Sequence, residues 1–189
     1  MIQYIVILWA IVNLVFISFY IKATIKGETK PNKVTWLMRS IAPLIASTAA
    51  ISDGVRRAVL PVFMSGFAPL LVFLSSFINK KAYWKLTTFD CLCGWFSILA
   101  LILRRITKTP AIAILFAIIS DGCAALPTVI KSWKRPETES VEAYMGWLFN
   151  ALTSFFAIKS LGFTSIAFPI YLICIDSLLI MTILRKKEK

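Results

Sequence analysis

The sequence predicts an all-α membrane protein, with seven transmembrane helices forming two parallel three-helix repeats joined by a linker helix. Three observations carry that expectation. Hydrophobic residues make up 59% of the 189-residue chain and the mean hydropathy is +0.80, too apolar for a soluble domain, whose polar shell no segment here supplies. The apolar stretches are seven in number, separated by short polar punctuation. The first three and the last three align at a constant offset of 108 residues.

A bilayer core about 30 Å thick takes roughly 20 apolar residues in a helix. The first span, Ile2–Ile21, has no basic segment before it and its lysines after it, so it reads as an outward-crossing span rather than a cleaved leader. Gly27 and Pro31 within Lys22–Lys33 stop it. Val34–Ile51 and Ala58–Ile78 complete a first repeat over residues 1–79. Leu86–Leu103 is the linker helix, within residues 80–108. Ala111–Ile130, Val141–Ile158 and Phe163–Leu184 form the second repeat, over residues 109–189. Barrel strands alternate and need only about ten residues, so runs of this length exclude them. No linker or soluble domain interrupts the series, which makes it a single integral membrane domain.

Basic residues orient the bundle. If the N-terminus lies outside, every Lys and Arg except Arg56, Arg57, Arg104, Arg105, Lys108 and Lys159 falls on the cytoplasmic side, Arg39 and Lys131 included. The expected location is the plasma (inner) membrane, N-terminus outside and C-terminus cytoplasmic. The net charge of +12 is then a topology signal that also attracts anionic lipid, and calls for no nucleic acid. Trp36, Trp84 and Trp133 fit an aromatic belt at the cytoplasmic interface. Cys91, Cys93, Cys123 and Cys174 all fall inside spans and the chain has no histidine, so neither a disulfide framework nor a metal site is expected. Asp53-Gly54 in the turn before the third span lacks the further aspartates a phosphatidyl-transfer centre needs. The expectation is a protein that is not an enzyme and takes no cofactor.

At the 108-residue offset Gly54 falls on Gly162, Ser52 on Ser160, Pro61 on Pro169 and Asn13 on Asp121. One helix separates the halves, so both triplets start on the same side as parallel repeats, with a solute path expected between them. The stretch Ala125-Leu126-Pro127-Thr128-Val129-Ile130-Lys131, then Lys134-Arg135-Pro136 and Glu139-Ser140-Val141, is similar to a PQ-loop, with Thr128 in the glutamine's place. Lys30-Pro31 and Thr35-Trp36 echo that turn in the first half, where Phe19 and Tyr20 replace the motif itself. With its 3+1+3 plan, the chain resembles the SWEET and PQ-loop transporter superfamily; bacterial vitamin transporters share a similar plan. The resemblance covers the whole chain as architecture and about twenty residues as motif. It implies alternating access, with a proline of the cytoplasmic half as hinge, here Pro127.

The chemistry-bearing candidates are polar groups deep in the spans, where an ionisable side chain costs roughly 2.5–3.5 kcal/mol on insertion scales. Asp121 lies mid-span with Asn13 as its repeat mate, Asn150 is mid-span in the sixth helix and Asp176 is in the seventh. Amides offer donors and acceptors to a polar solute, and carboxylates bind a cationic group or exchange a proton. Trp147, near Asn150, offers a stacking face, and Thr48 and Ser65 are further path candidates. The bland reading of all these groups is interhelical hydrogen-bond glue. Asp90 reads as complementing a helix N-terminus or pairing with Lys85. The expected function is a uniporter or proton-coupled carrier of a small polar solute, such as a sugar or vitamin-like molecule, working in the lipid bilayer. The alternative is a non-transporting receptor or structural protein of the same fold.

Overall fold

A computed structural model of the chain describes residues 2–52, 60–79, 84–154 and 162–185. Among these residues there are seven α-helices, one 3-10 turn and no strand. The helices are α1 (Ile2–Lys26), α2 (Lys33–Ser52), α3 (Leu60–Ser75), α4 (Thr88–Ile106), α5 (Pro110–Lys134), α6 (Glu142–Ser154) and α7 (Phe163–Leu184), with the 3-10 turn at Pro136–Thr138. The basic turn around Arg56 and Arg57, and Lys80, Lys81, Lys159 and Ser160, lie outside the described residues.

Local chemistry sets the boundaries. α1 overruns its expected end by a full turn and stops at Gly27, whose φ of 81° only glycine adopts without strain. Gly27 N–H donates to Thr24 O and Glu28 N–H to Ala23 O, each at 2.9 Å, a Schellman arrangement that satisfies the last carbonyls. Asn32 caps α2: its Oδ1 accepts from Val34 N at 3.1 Å and Thr35 N at 3.3 Å. Thr87 and Asp90 form a capping box at the start of α4. Asp90 also accepts a 2.9 Å bond from Asn32 Nδ2, so one carboxylate ties together the starts of α2 and α4. Pro110 opens α5, where its missing N–H is no loss. Helices α2, α3, α5 and α7 run on through Pro43, Pro69, Pro127 and Pro169.

The packing order repeats in the two halves. α3 packs against both α1 and α2, and α7 packs against both α5 and α6. The triplets meet through α1 against α6 and α2 against α5, while α4 lies on α5 and α2. Close backbone approach needs small residues at these seams. A Cβ on Gly66 would come within 2.8 Å of Ser40 O across α2–α3, and one on Gly146 within 2.8 Å of Phe16 Cβ across α1–α6.

Polarity is distributed inside out. Asn13, Arg39, Lys131, Glu139 and Asp176 are buried, while large apolar side chains cover the outside, Trp95 being 71% and Met181 62% exposed. Among the described residues two helices, Pro110–Lys134 and Phe163–Leu184, are by length and composition apolar enough to cross a membrane.

Candidate functional site

Two clusters of buried charge lie where α1 and α2 meet α5, α6 and α7. The first is centred on Arg39, on the inward face of α2. Sequence reading counted this arginine among the loop charges that set topology; the structure instead places it within α2, 8% exposed. Its Nη2 donates to Asp121 Oδ2 of α5 at 3.1 Å, and its Nη1 stands 3.8 Å from Asp176 Oδ1 of α7. Tyr171 Oη donates to the same Asp121 oxygen at 2.9 Å. The guanidinium carbon lies 4.9 Å from the ring centroid of Trp147 on α6, within cation–π range. Helices from both triplets therefore converge on one guanidinium.

Space adjoins this cluster. A cavity of about 360 Å³ extends from Arg39, Asp121 and Ser120 past Ser65 to Arg104 at the end of α4. A second lobe of about 100 Å³ is lined by Arg39, Asp121, Trp147, Asn150, Asp176 and Ser65. The larger lobe lies at the lower end of the roughly 300–1,000 Å³ usual for small-molecule sites. Of the residues singled out from sequence, Asp121, Asn150, Asp176 and Trp147 share these walls, and so does Ser65. Asn13 is buried on α1 but lines neither lobe, and its Oδ1 has no hydrogen-bond partner among the described residues. Thr48 is exposed and likewise lines neither lobe.

The second cluster lies at the C-terminal end of α5. Glu139, in the turn between α5 and α6, forms an ion pair with Lys131, with both side chains at most 1% exposed. Glu139 Oε2 accepts from Tyr20 Oη at 2.5 Å and Tyr144 Oη at 3.1 Å. Lys131 also donates to the Lys30 carbonyl, and its ammonium lies 5.1 Å from the Trp84 ring centroid. Lys131, expected as a loop charge after the fifth span, is thus a buried member of α5. Trp36, expected at the membrane interface, is 1% exposed and sits 4.8 Å from Tyr20 and 5.2 Å from Trp147, centroid to centroid. Pro127 and Thr128 are buried about one turn before Lys131 in α5, with Thr128 Oγ1 donating to Thr35 Oγ1 at 2.9 Å.

Sequence reasoning missed Arg39, although a signal existed. The residue falls five positions inside its own expected span, where a charge needs a counterion in the bundle. Tyr171 left no such signal, because a phenol inside an apolar helix reads as ordinary packing. Among the described residues no group of acids, cysteines or histidines is arranged to hold a metal ion. No family model, curated protein or solved structure matches the chain.

Proposed function

We propose that the chain is a seven-span carrier that moves a small polar solute across the plasma membrane by alternately exposing the Arg39 site to either side. The observation that supports this reading is a pair of adjoining cavities lined by Arg39 and Asp121, one reaching the exposed Arg104 and the other Asp176, with the buried Lys131–Glu139 pair further along α5.

The apolar exterior supports immersion in lipid, since soluble proteins rarely expose contiguous apolar patches beyond a few hundred Å². Two-fold pairing of the triplets is supported by the packing order and by two contacts. At the 108-residue offset Trp36 corresponds to Tyr144 and Arg39 to Trp147. Both pairs touch, at 6.4 Å between ring centroids and 4.9 Å from guanidinium to ring. Residues related by a two-fold axis meet one another where they flank it. The helix bounds of α1 and α5 also differ by that same offset at both ends.

In this reading the Arg104 end faces outward and the Glu139 end faces the cytoplasm, where most loop lysines gather. One triplet rocks against the other, α5 bends at Pro127, and the Lys131–Glu139 pair parts as the cavity closes. The test is counterflow of radiolabelled solutes into proteoliposomes, with sugars, nucleosides, amines and vitamins as the panel. Trans-stimulated uptake is expected for one class, with Pro127→Ala cutting flux at least tenfold while binding persists. Binding without counterflow would make the protein a receptor, and full flux in Pro127→Ala would remove the hinge.

A further inference from the structure

The charge at the Arg39 cluster does not balance. With both carboxylates ionised, Asp121 and Asp176 carry two negative charges against the one guanidinium of Arg39. Arg104 is exposed at the cavity mouth, where water screens it. The shortfall is localised. Asp121 Oδ2 accepts from both Arg39 and Tyr171. Asp176, 1% exposed, has an Oδ1 that accepts no hydrogen bond among the described residues and stands 3.8 Å from its nearest arginine nitrogen. A buried carboxylate left short of partners is costly, and this one lines the smaller lobe, beside the Asn150 amide and the Trp147 ring.

We propose that this lobe is a subsite for one monovalent organic cation, an ammonium-type group on the transported solute. The inference rests on the carrier reading and adds the charge of its cargo. Asp176 supplies the counter-charge, Asn150 offers a carbonyl to an N–H, and the Trp147 ring favours a cation near its face. The rest of the solute extends into the larger lobe toward Ser65 and Arg104.

The experiment is thermal-shift titration of the detergent-purified protein with phenethylammonium and propylammonium, against 2-phenylethanol, 1-propanol and sodium chloride at matched ionic strength. The amines should stabilise the wild type and the alcohols and salt should not. Asp176→Asn should weaken amine binding at least tenfold while leaving the ligand-free melting temperature equal or higher, because it removes an under-compensated charge. Ser65→Lys, which places an ammonium in the cavity wall while leaving Asp176 intact, should compete with the amine and weaken it similarly. Amine stabilisation unchanged in both variants, or alcohols binding as tightly as amines, would overturn the subsite. A neutral solute that binds and undergoes counterflow where amines do neither would overturn it while leaving the carrier standing, as when a proton supplies the missing charge on Asp176. Absence of binding by every solute class would remove both readings.

Discussion

The two buried ion clusters, at Arg39 and at Glu139, differ in balance and in room. At Glu139 one carboxylate meets one ammonium in close contact at Oε1, two phenols donate to Oε2, and aromatic rings pack around it. At Arg39 one guanidinium serves two carboxylates, one of them short of hydrogen bonds, beside open volume. In the proposed carrier the close-packed pair is the latch, because nothing would enter without breaking it. An unsatisfied cluster beside a cavity is poised to take a ligand. Burial and charge alone would not have separated the two.

The largest effect should come from breaking the satisfied cluster. Lys131→Met strands Glu139 without its counter-ion, and removal of one partner from a buried pair costs about 3–5 kcal/mol. Denaturant unfolding in detergent should show that loss, and the double variant Lys131→Met with Glu139→Gln should recover most of it. Equal destabilisation of the single and double variants would mean that packing, and not charge pairing, holds this end.

A smaller and different effect is expected at the other cluster. Arg39→Lys keeps the charge but gives up the planar fork and the guanidinium's contact with the Trp147 ring. Stability should fall by about 1.5–3 kcal/mol, the range for hydrogen bonds to charged groups, while solute binding falls more than tenfold. If the stability loss matched that of Lys131→Met with binding untouched, the Arg39 cluster would be a second latch and the contrast would collapse.

Asn13→Leu should do least. The side chain is buried with its Oδ1 unpartnered and lines neither lobe, so exchanging it for an apolar group of similar size should shift stability by only about 0.5 kcal/mol. Solute affinity, read by the same thermal titration, should stay within a factor of two. A large loss would return Asn13 to the site.

That contrast also separates what the sequence disclosed from what it concealed. Helices were legible because apolar runs and their glycine and proline stops are local properties, as Gly27 and Pro31 illustrate. Asp121, Asn150 and Asp176 were legible because polar groups inside apolar runs stand out singly. Their shared counter-ion was not. Arg39 lies close enough to the basic Lys22–Lys33 segment to pass as topology signal, and its partners are 82 and 137 positions away in the chain. Lys131 was misplaced for the same reason, since α5 runs on to Lys134 and carries it inside. Asn13 shows the opposite error: its offset mate Asp121 lines the site, but α1 packs on α3 and α6 and does not bring Asn13 to either lobe.

The most direct test of a path open at one end and latched at the other is thiol accessibility in sealed, oriented membranes. With the four native cysteines replaced, Ser65→Cys in the cavity wall and Thr128→Cys about one turn before Lys131 are each exposed to a membrane-impermeant reagent from either side. The expected result is labelling of Ser65→Cys from the outside only and none of Thr128→Cys, with Glu139→Gln opening Thr128→Cys to the cytoplasmic side. Labelling of Thr128→Cys with the latch intact, or protection of both positions with Glu139→Gln in place, would contradict it.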